Sequence, residues 1–229
     1  TSPGRDVLVD RLFTKGGWDA LLADLEKQGH DLENKLGFGN IGDSIRVFAN
    51  RQRTRELDDI RSVEDNEAVA EFLMELVRSF TENESVHLIV SIAGGRKTTS
   101  ALLHSVVTLL GRAQDRITHV IIDDVWIHPD FLYPGCAGTF ENRETGEELN
   151  SSEARVDLFD VPFVPLRYLF ERDLQQAAGS YNRLIQQIRS RVLNIEDDLE
   201  IDLDIASGGV RINGKALQLS PTEFAFYLY

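Results

Sequence analysis

The stretch VHLIVSIAGGRKTTSALLHSVVTLLG, residues 86–111, sets the fold class. Its first seven residues are nearly continuous in apolar side chains, the pattern of a parallel strand covered on both faces. From Thr99 onward the apolar residues fall at helical spacing up to a stop at Gly111. Between the two lie Gly94, Gly95, Arg96 and Lys97. Two glycines at the end of a strand let the backbone turn sharply and leave room for a ligand close to the main chain. The helix that follows presents unpaired N–H groups and a partial positive charge, which together favour an anion. Ser91, Thr98, Thr99 and Ser100 add hydroxyl donors to the two cations. This predicts a phosphate-binding crevice at the carboxyl edge of the sheet, where open α/β folds take their ligands. The spacing is neither GxxxxGK[ST] nor GxGxxG, so ATP hydrolysis and NAD binding lose support. The competing reading is a turn whose glycines serve packing and whose cations are merely solvated. A basic pair at a helix start opposes the dipole, however, and needs a reason to be there.

Outward from this unit, strands and helices alternate. DVLVDRLF (residues 6–13) reads as a strand, broken by Gly16 and Gly17, and WDALLADLEKQ follows as a helix with Trp18, Leu21, Leu22 and Leu25 on one side. SIRVFA (residues 44–49) reads as a second strand. Ser62 and Asp65 form a capping box for a helix whose apolar face carries Val69, Phe72, Leu73, Leu76 and Phe80. THVIID (residues 118–123) is a further strand, ending at Asp123 and Asp124. The alternation predicts an α/β fold with a doubly wound, mainly parallel Rossmann-like sheet and helices on both faces. Residues 126–166 hold most of the six prolines and read as an irregular excursion with short strands. Residues 167–193 read as a helix with Leu169, Phe170, Leu174, Leu184, Ile188 and Val192 as its apolar stripe. The last thirty residues suggest strands, a hairpin turn at Asn213 and Gly214, and a helix start with Ser220 as N-cap before Pro221. The domain division expected is 1–194 and 195–229.

Composition narrows the classes. At 229 residues, with 42% hydrophobic and 27% charged residues, the chain can bury a core and is neither disordered nor collagen-like. No apolar stretch approaches membrane-span length and the N-terminus lacks a signal-peptide pattern, so a soluble, cytoplasmic protein is expected. The net charge of −14 argues against non-specific polyanion binding, so an anionic ligand must meet a local positive site. Cys136 is the sole cysteine and no Cys/His grouping has zinc spacing, so neither a disulfide scaffold nor a metal is expected.

Three separated motifs, LDDIRSVEDNEAVAEFLMELV, HLIVSIAGGRKTTS and HVIIDDVWIHPDFLYP, together resemble the CRISPR-associated ring nuclease family, built on the CRISPR-associated Rossmann fold (CARF). They span residues 57–134. The resemblance implies a homodimer of type III CRISPR systems that binds a cyclic oligoadenylate, usually cyclic tetra-adenylate, across its two-fold axis and cleaves it. Metal-independent cleavage needs a ribose 2′-hydroxyl aligned on its phosphorus and cationic stabilisation of the developing charge. On this resemblance Lys97 is the stabiliser and Arg96 clamps a neighbouring phosphate. Gly94, Gly95 and Thr98 offer backbone N–H groups, with Ser91 and Thr99 as further ligand contacts. The product is a linear di-adenylate ending in a 2′,3′-cyclic phosphate, and no cofactor is needed. TSP at the start resembles the first-strand loop of the family and makes Ser2 a ligand candidate.

Other residues carry two readings each. Asp59, Arg61, Asp65 and Asn66 either reach the crevice or cap a helix with an internal ion pair. His128 is either a general acid, or stacks on adenine, or is a surface group. Trp126, Phe131 and Tyr133 either stack on bases or form core. Cys136 is expected to be inert.

The segment GGVRINGKALQLSPTEFAFYLY resembles the opening of an OmpR-like winged-helix domain, its alternative being a hairpin and helix completing the main domain. A recognition helix and wing are not among these residues, and the acidic lead-in IEDDLEIDLD repels phosphate, so DNA binding would fall to residues beyond this chain. Three functions follow: a ring nuclease; a non-cleaving sensor of the same ligand controlling a winged-helix regulator; and, less favoured, a sugar- or nucleotide-phosphate enzyme using the anion site.

Overall fold

The computed structural model describes all residues except 34, 129, 171–173, 175–179, 198–200, 205–208, 213–214, 218, 221–223 and 225–229. The chain divides into two units, Thr1–Glu171 and Arg172–Tyr229.

In the first unit, strand β1 (Ile89–Ser91), helix α5 (Lys97–Leu110) and strand β2 (Arg116–Ile122) form a parallel crossover. Register pairs Ser91 with Thr118, so β2 runs four residues past the end of β1 at the carboxyl edge. The irregular excursion returns to the sheet as β5 (Val156–Asp160), antiparallel to β2, giving the order β1-β2-β5. The sheet is therefore mixed, with one parallel and one antiparallel pair among the described residues. A second pair, β3 (Phe140–Glu141) and β4 (Glu148–Leu149), forms a short hairpin within the excursion.

Helix α4 (Val63–Thr81) packs on α5 and begins with the expected capping box: Asp65 N–H donates to Ser62 Oγ while the Asp65 carboxylate accepts from Ser62 N–H. Its buried stripe is Val69, Ala70, Leu73, Met74 and Val77, rotated from the face expected, with Phe80 left exposed. Phe72 instead meets Phe48 edge-on at 5.2 Å. With Val106, Val107, Leu110, Val90 and Ile117, this stripe forms the core.

Two strands expected near the N-terminus are not strands. Residues 6–13 lie in helix α1 (Ser2–Val9) and a continuing π-helical turn, Asp10–Thr14. Val7, Leu8, Val9, Leu12 and Phe13 satisfy both periods, and Pro3 in the first turn pre-sets the helical φ. Helix α2 (Gly17–Lys27) is where the pattern places it. Of residues 44–49, Ser44 ends a one-turn helix, α3 (Ile41–Ser44), and among the described residues the rest pair in a bridge between Ala49 and Glu56 rather than in a strand. Asn50 draws that segment into a turn by accepting the N–H groups of Thr54 and Arg55, so its apolar residues pack on α4 rather than joining the sheet.

The amino edge of the sheet is held by a buried ion pair. Asp115 accepts the N–H, Nε and Nη2 of Arg112 at 2.8–3.0 Å and Leu88 N–H at 3.1 Å. Arg112 also donates to the carbonyls of Asn83 and Val86, binding the α4–β1 connection to the turn before β2. Gly111, which ends α5, sits where a Cβ would meet Val107 O at 2.4 Å and the Phe163 ring at 3.0 Å.

The second unit contains helix α6 (Tyr181–Asp197) and an antiparallel sheet in the order β6 (Ile201–Asp204), β7 (Gly209–Ile212), β8 (Lys215–Leu217). Ile212 pairs with Lys215, so β7 and β8 are joined by two residues. The expected turn residues Asn213 and Gly214, and Pro221, lie outside the described residues, as does Phe170–Leu174 apart from its two end residues. Phe224 N–H donates to Ser220 O at 2.9 Å. No helix among the described residues is long and apolar enough to cross a membrane.

Candidate anion-binding site

The chain leaves β1 at Ser91 and turns through Gly94 (φ +85°) and Gly95 (φ +75°) before entering α5 at Lys97. Both glycines are left-handed and exposed, with nothing within 4 Å of where a Cβ would stand. Their glycine identity is thus demanded by backbone conformation, and the space beside them is open. Ser100 fastens the loop from within: its hydroxyl donates to Ile92 O at 3.0 Å and lies 3.4 Å from Gly94 O. In this structure Ser100 thus braces the loop. Ser91 Oγ similarly accepts Ala93 N–H at 3.3 Å.

What this arrangement leaves free is a run of backbone donors. Among the described residues, the N–H groups of Gly94, Gly95, Arg96, Lys97 and Thr98 donate to no other group of the chain. Five successive N–H groups without a partner among the described residues, at a strand-to-helix turn, offer the donors that a phosphate can take up. Lys97 and Thr98 are exposed and Thr99 is half-buried. The Lys97 ammonium has no ion-pair or hydrogen-bond partner among the described residues.

Arg96 is differently placed. Its Nε donates to Asp59 Oδ1 at 2.8 Å and its Nη2 to Asp59 Oδ2, a side-on bidentate pair reaching across 37 positions of sequence. Asp59 also accepts Ile60 N–H at 2.8 Å and Arg61 Nε at 3.3 Å. The hydrogen bond from Arg96, then that from Ile60, holds the Asp59 carboxyl well below the usual carboxylate range. Next to it, Asp58 accepts the Ser2 hydroxyl at 2.7 Å, and Ser2 N–H donates to Leu57 O. Leu57 is buried, so residues 57–59 form an anchored bracket joining the start of α1 to the glycine loop.

The bracket thus gathers Ser2, Arg61, Arg96 and Lys97 into one neighbourhood. With its proton engaged by Asp58, Ser2 presents lone pairs rather than a donor. Asp59 thus reaches the glycine loop, one of the two readings the sequence offered for it, while Asp58 is the residue whose part here the sequence did not single out. Asp65 serves the α4 cap, as the plainer expectation had it. Asn66 lies one turn into α4 with an enclosed Oδ1 that has no hydrogen-bond partner among the described residues. His128 sits in a different cluster: its Nδ1 accepts Asp130 N–H at 3.1 Å and its ring meets Phe140 edge-on at 5.5 Å. Trp126, Cys136, Phe140 and Ala154 form the buried heart of that cluster, with Phe131 and Tyr133 packed on it, so Trp126 is core. Tyr133 donates to Asp24 at 2.8 Å, and burial, reinforced by Asp24, pushes its phenol up to about 12.

The fold and this loop define an α/β protein with a turn of unpaired backbone donors, among the described residues, at the carboxyl edge of a parallel strand pair. Residues 22–193 match the CRISPR-associated protein NE0113 family, most of the chain including the glycine loop, and the chain belongs to that family. Comparison with the curated proteins gives no match.

Proposed function

We propose that this CRISPR-associated protein is a ring nuclease of type III systems. It binds a cyclic oligoadenylate, cyclic tetra-adenylate above all, between two copies of the chain and cleaves it without metal to a linear di-adenylate ending in a 2′,3′-cyclic phosphate. Removing the ring switches off the signal it carries. On this reading the mixed sheet is the described part of a doubly wound CARF fold. The observation that carries the proposal is the run of backbone donors at residues 94–98 that, like the adjacent Lys97 ammonium, has no partner among the described residues.

The chemistry asks little more of the protein. The array seats one phosphodiester and fixes the adjacent ribose so that its 2′-oxygen lies in line with the phosphorus. That oxygen attacks, the 5′-oxygen of the next nucleotide leaves, and the 2′-proton passes to solvent while a proton from solvent reaches the leaving oxygen. The Lys97 ammonium and the α5 N-terminus stabilise the negative charge that builds on the phosphoryl oxygens. Arg96 engages a neighbouring phosphate.

A second reading keeps the ligand and drops the turnover: a sensor that passes ring binding to a winged-helix regulator. The small antiparallel sheet of the second unit, β6 to β8, favours it. Incubation with radiolabelled cyclic tetra- and hexa-adenylate in EDTA separates the two. Di-adenylate with a cyclic phosphate end supports the nuclease, binding without product supports the sensor, and neither binding nor product rejects both.

A further inference from the structure

A guanidinium carries five N–H donors in a planar fork. Asp59 takes one from Nε and one from Nη2 of Arg96, and no partner of Nη1 is present among the described residues. The Arg96 side chain remains 55% exposed, so its outer edge is open to solvent while its inner edge is held. Asp59 is itself fixed from two sides, by Ile60 N–H and by Arg61, on a segment anchored through buried Leu57.

We propose that Asp59 is the positioning residue of the anion site: it locks Arg96 side-on so that the Nη1 edge faces outward, ready to bind a second phosphate beside the one seated on the glycine loop. The ligand's identity as a ring phosphodiester rests on the proposed function, whereas the positioning itself rests on the geometry. A free arginine side chain must be ordered when it binds, and a partner that orders it beforehand removes that cost from the ligand. The alternative, that Asp59 is a latch competing with the ligand for Arg96, would have the carboxylate cover the edge the ligand needs. The carboxylate covers the Nε–Nη2 edge and leaves Nη1 uncovered. The pairing also explains a sequence feature that the anion site alone does not: an acidic residue is placed against one of two adjacent cations and not the other. Arg96 becomes a fixed fork, and Lys97 stays a mobile point charge.

The test compares wild type with Asp59→Asn, Asp59→Glu, Arg96→Ala and the Asp59→Asn/Arg96→Ala double variant. The binding probe is a fluorescent cyclic tetra-adenylate lacking its 2′-hydroxyls, which cannot be cleaved by the proposed route; kcat and KM are measured on the ordinary ring, and thermal melts accompany each variant. Asp59→Asn is expected to weaken binding roughly tenfold, the scale of one charge-assisted hydrogen bond, and to raise KM more than it lowers kcat. Asp59→Glu should regain part of the affinity, and the double variant should bind no worse than Arg96→Ala alone, because Asp59 acts only through Arg96. Tighter binding by Asp59→Asn, or full additivity in the double variant, overturns the proposal. If wild type neither binds nor cleaves the ring, the functional reading fails. Inorganic pyrophosphate titrated against the Arg96 Nε–H signal in nitrogen-15 NMR then decides the positioning role. A shift in wild type that is lost in Asp59→Asn supports it, and any other pattern overturns it.

Discussion

Replacing Asp115 with alanine should unfold the first unit more readily than any single change at its surface. The carboxylate is fully enclosed and receives four donors, three from Arg112 and one from Leu88. Burial alone would push this carboxyl up, but the hydrogen bonds from the Arg112 side chain and backbone, and from Leu88, outweigh it and hold it below its ordinary value. The variant strands a guanidinium whose side chain is only 9% exposed, and breaking one half of such a buried pair costs about 3–5 kcal/mol. For a unit of this size each kcal/mol shifts Tm by about 2–4 °C, so a fall of roughly 6–20 °C is expected. Both tryptophans, Trp18 and Trp126, lie in the first unit, so urea unfolding followed by their fluorescence reads the right transition. Adding Arg112→Met should recover part of the loss, because the stranded cation is then gone. A loss below about 1 kcal/mol, the worth of an exposed pair, would refute the claim that this bond network closes the amino edge of the sheet.

Gly111→Ala should destabilise by about 1–3 kcal/mol, because its Cβ would strike the Val107 carbonyl and the Phe163 ring; an unchanged melting curve would contradict that packing. Gly95→Ala meets no neighbour but forces a left-handed φ on an L side chain, at about 1–2 kcal/mol, so its expected signature is weakened anion binding at small stability loss, read by phosphate titration. The bond between Asp59 and Arg96 should be insensitive to pH from 5 to 8. With the folded-state value depressed by Arg96 and Ile60, its contribution is fully present above the ordinary carboxylate value of about 3.9 and is lost as pH falls through the lower folded one. An Arg96 Nε–H signal that broadens with a midpoint near pH 6 would contradict this.

The core of the fold was legible where one period dominates. Residues 86–111 admit a strand, a turn and a helix in only one order, and Ser62 with Asp65 marks the start of α4 by chemistry alone. Residues 6–13 were not, since an apolar triplet, Val7–Val9, and a doublet, Leu12 and Phe13, separated by Asp10 and Arg11, do not settle between periods of 2 and of 3.6, and the early proline decides for the helix. Residues 44–49 are strand-like in composition, but Asn50 turns them back before they reach the sheet. The antiparallel return of β5 was not foreseeable, because VDLFD has no feature that selects a neighbour or a direction. At the site, the glycines, Arg96 and Lys97 announced themselves as neighbours in sequence. The bracket was legible only in part: Asp59 carried two readings, crevice or helix cap, and Asp58 was not singled out, because the bonds from Arg96 to Asp59 and from Ser2 to Asp58 join residues far apart in the chain.

The most direct test of the account is the single-turnover rate on cyclic tetra-adenylate, in EDTA and at saturating protein, for wild type against Lys97→Ala. Lys97 is exposed and has no hydrogen-bond or ion-pair partner among the described residues, so its removal should leave the melting curve unchanged. The account predicts conversion to linear di-adenylate by wild type and a rate about 10²–10³-fold lower in the variant, the scale of losing one charge stabiliser. Cleavage by Lys97→Ala at the wild-type rate, or wild-type cleavage that stops in EDTA, would contradict it.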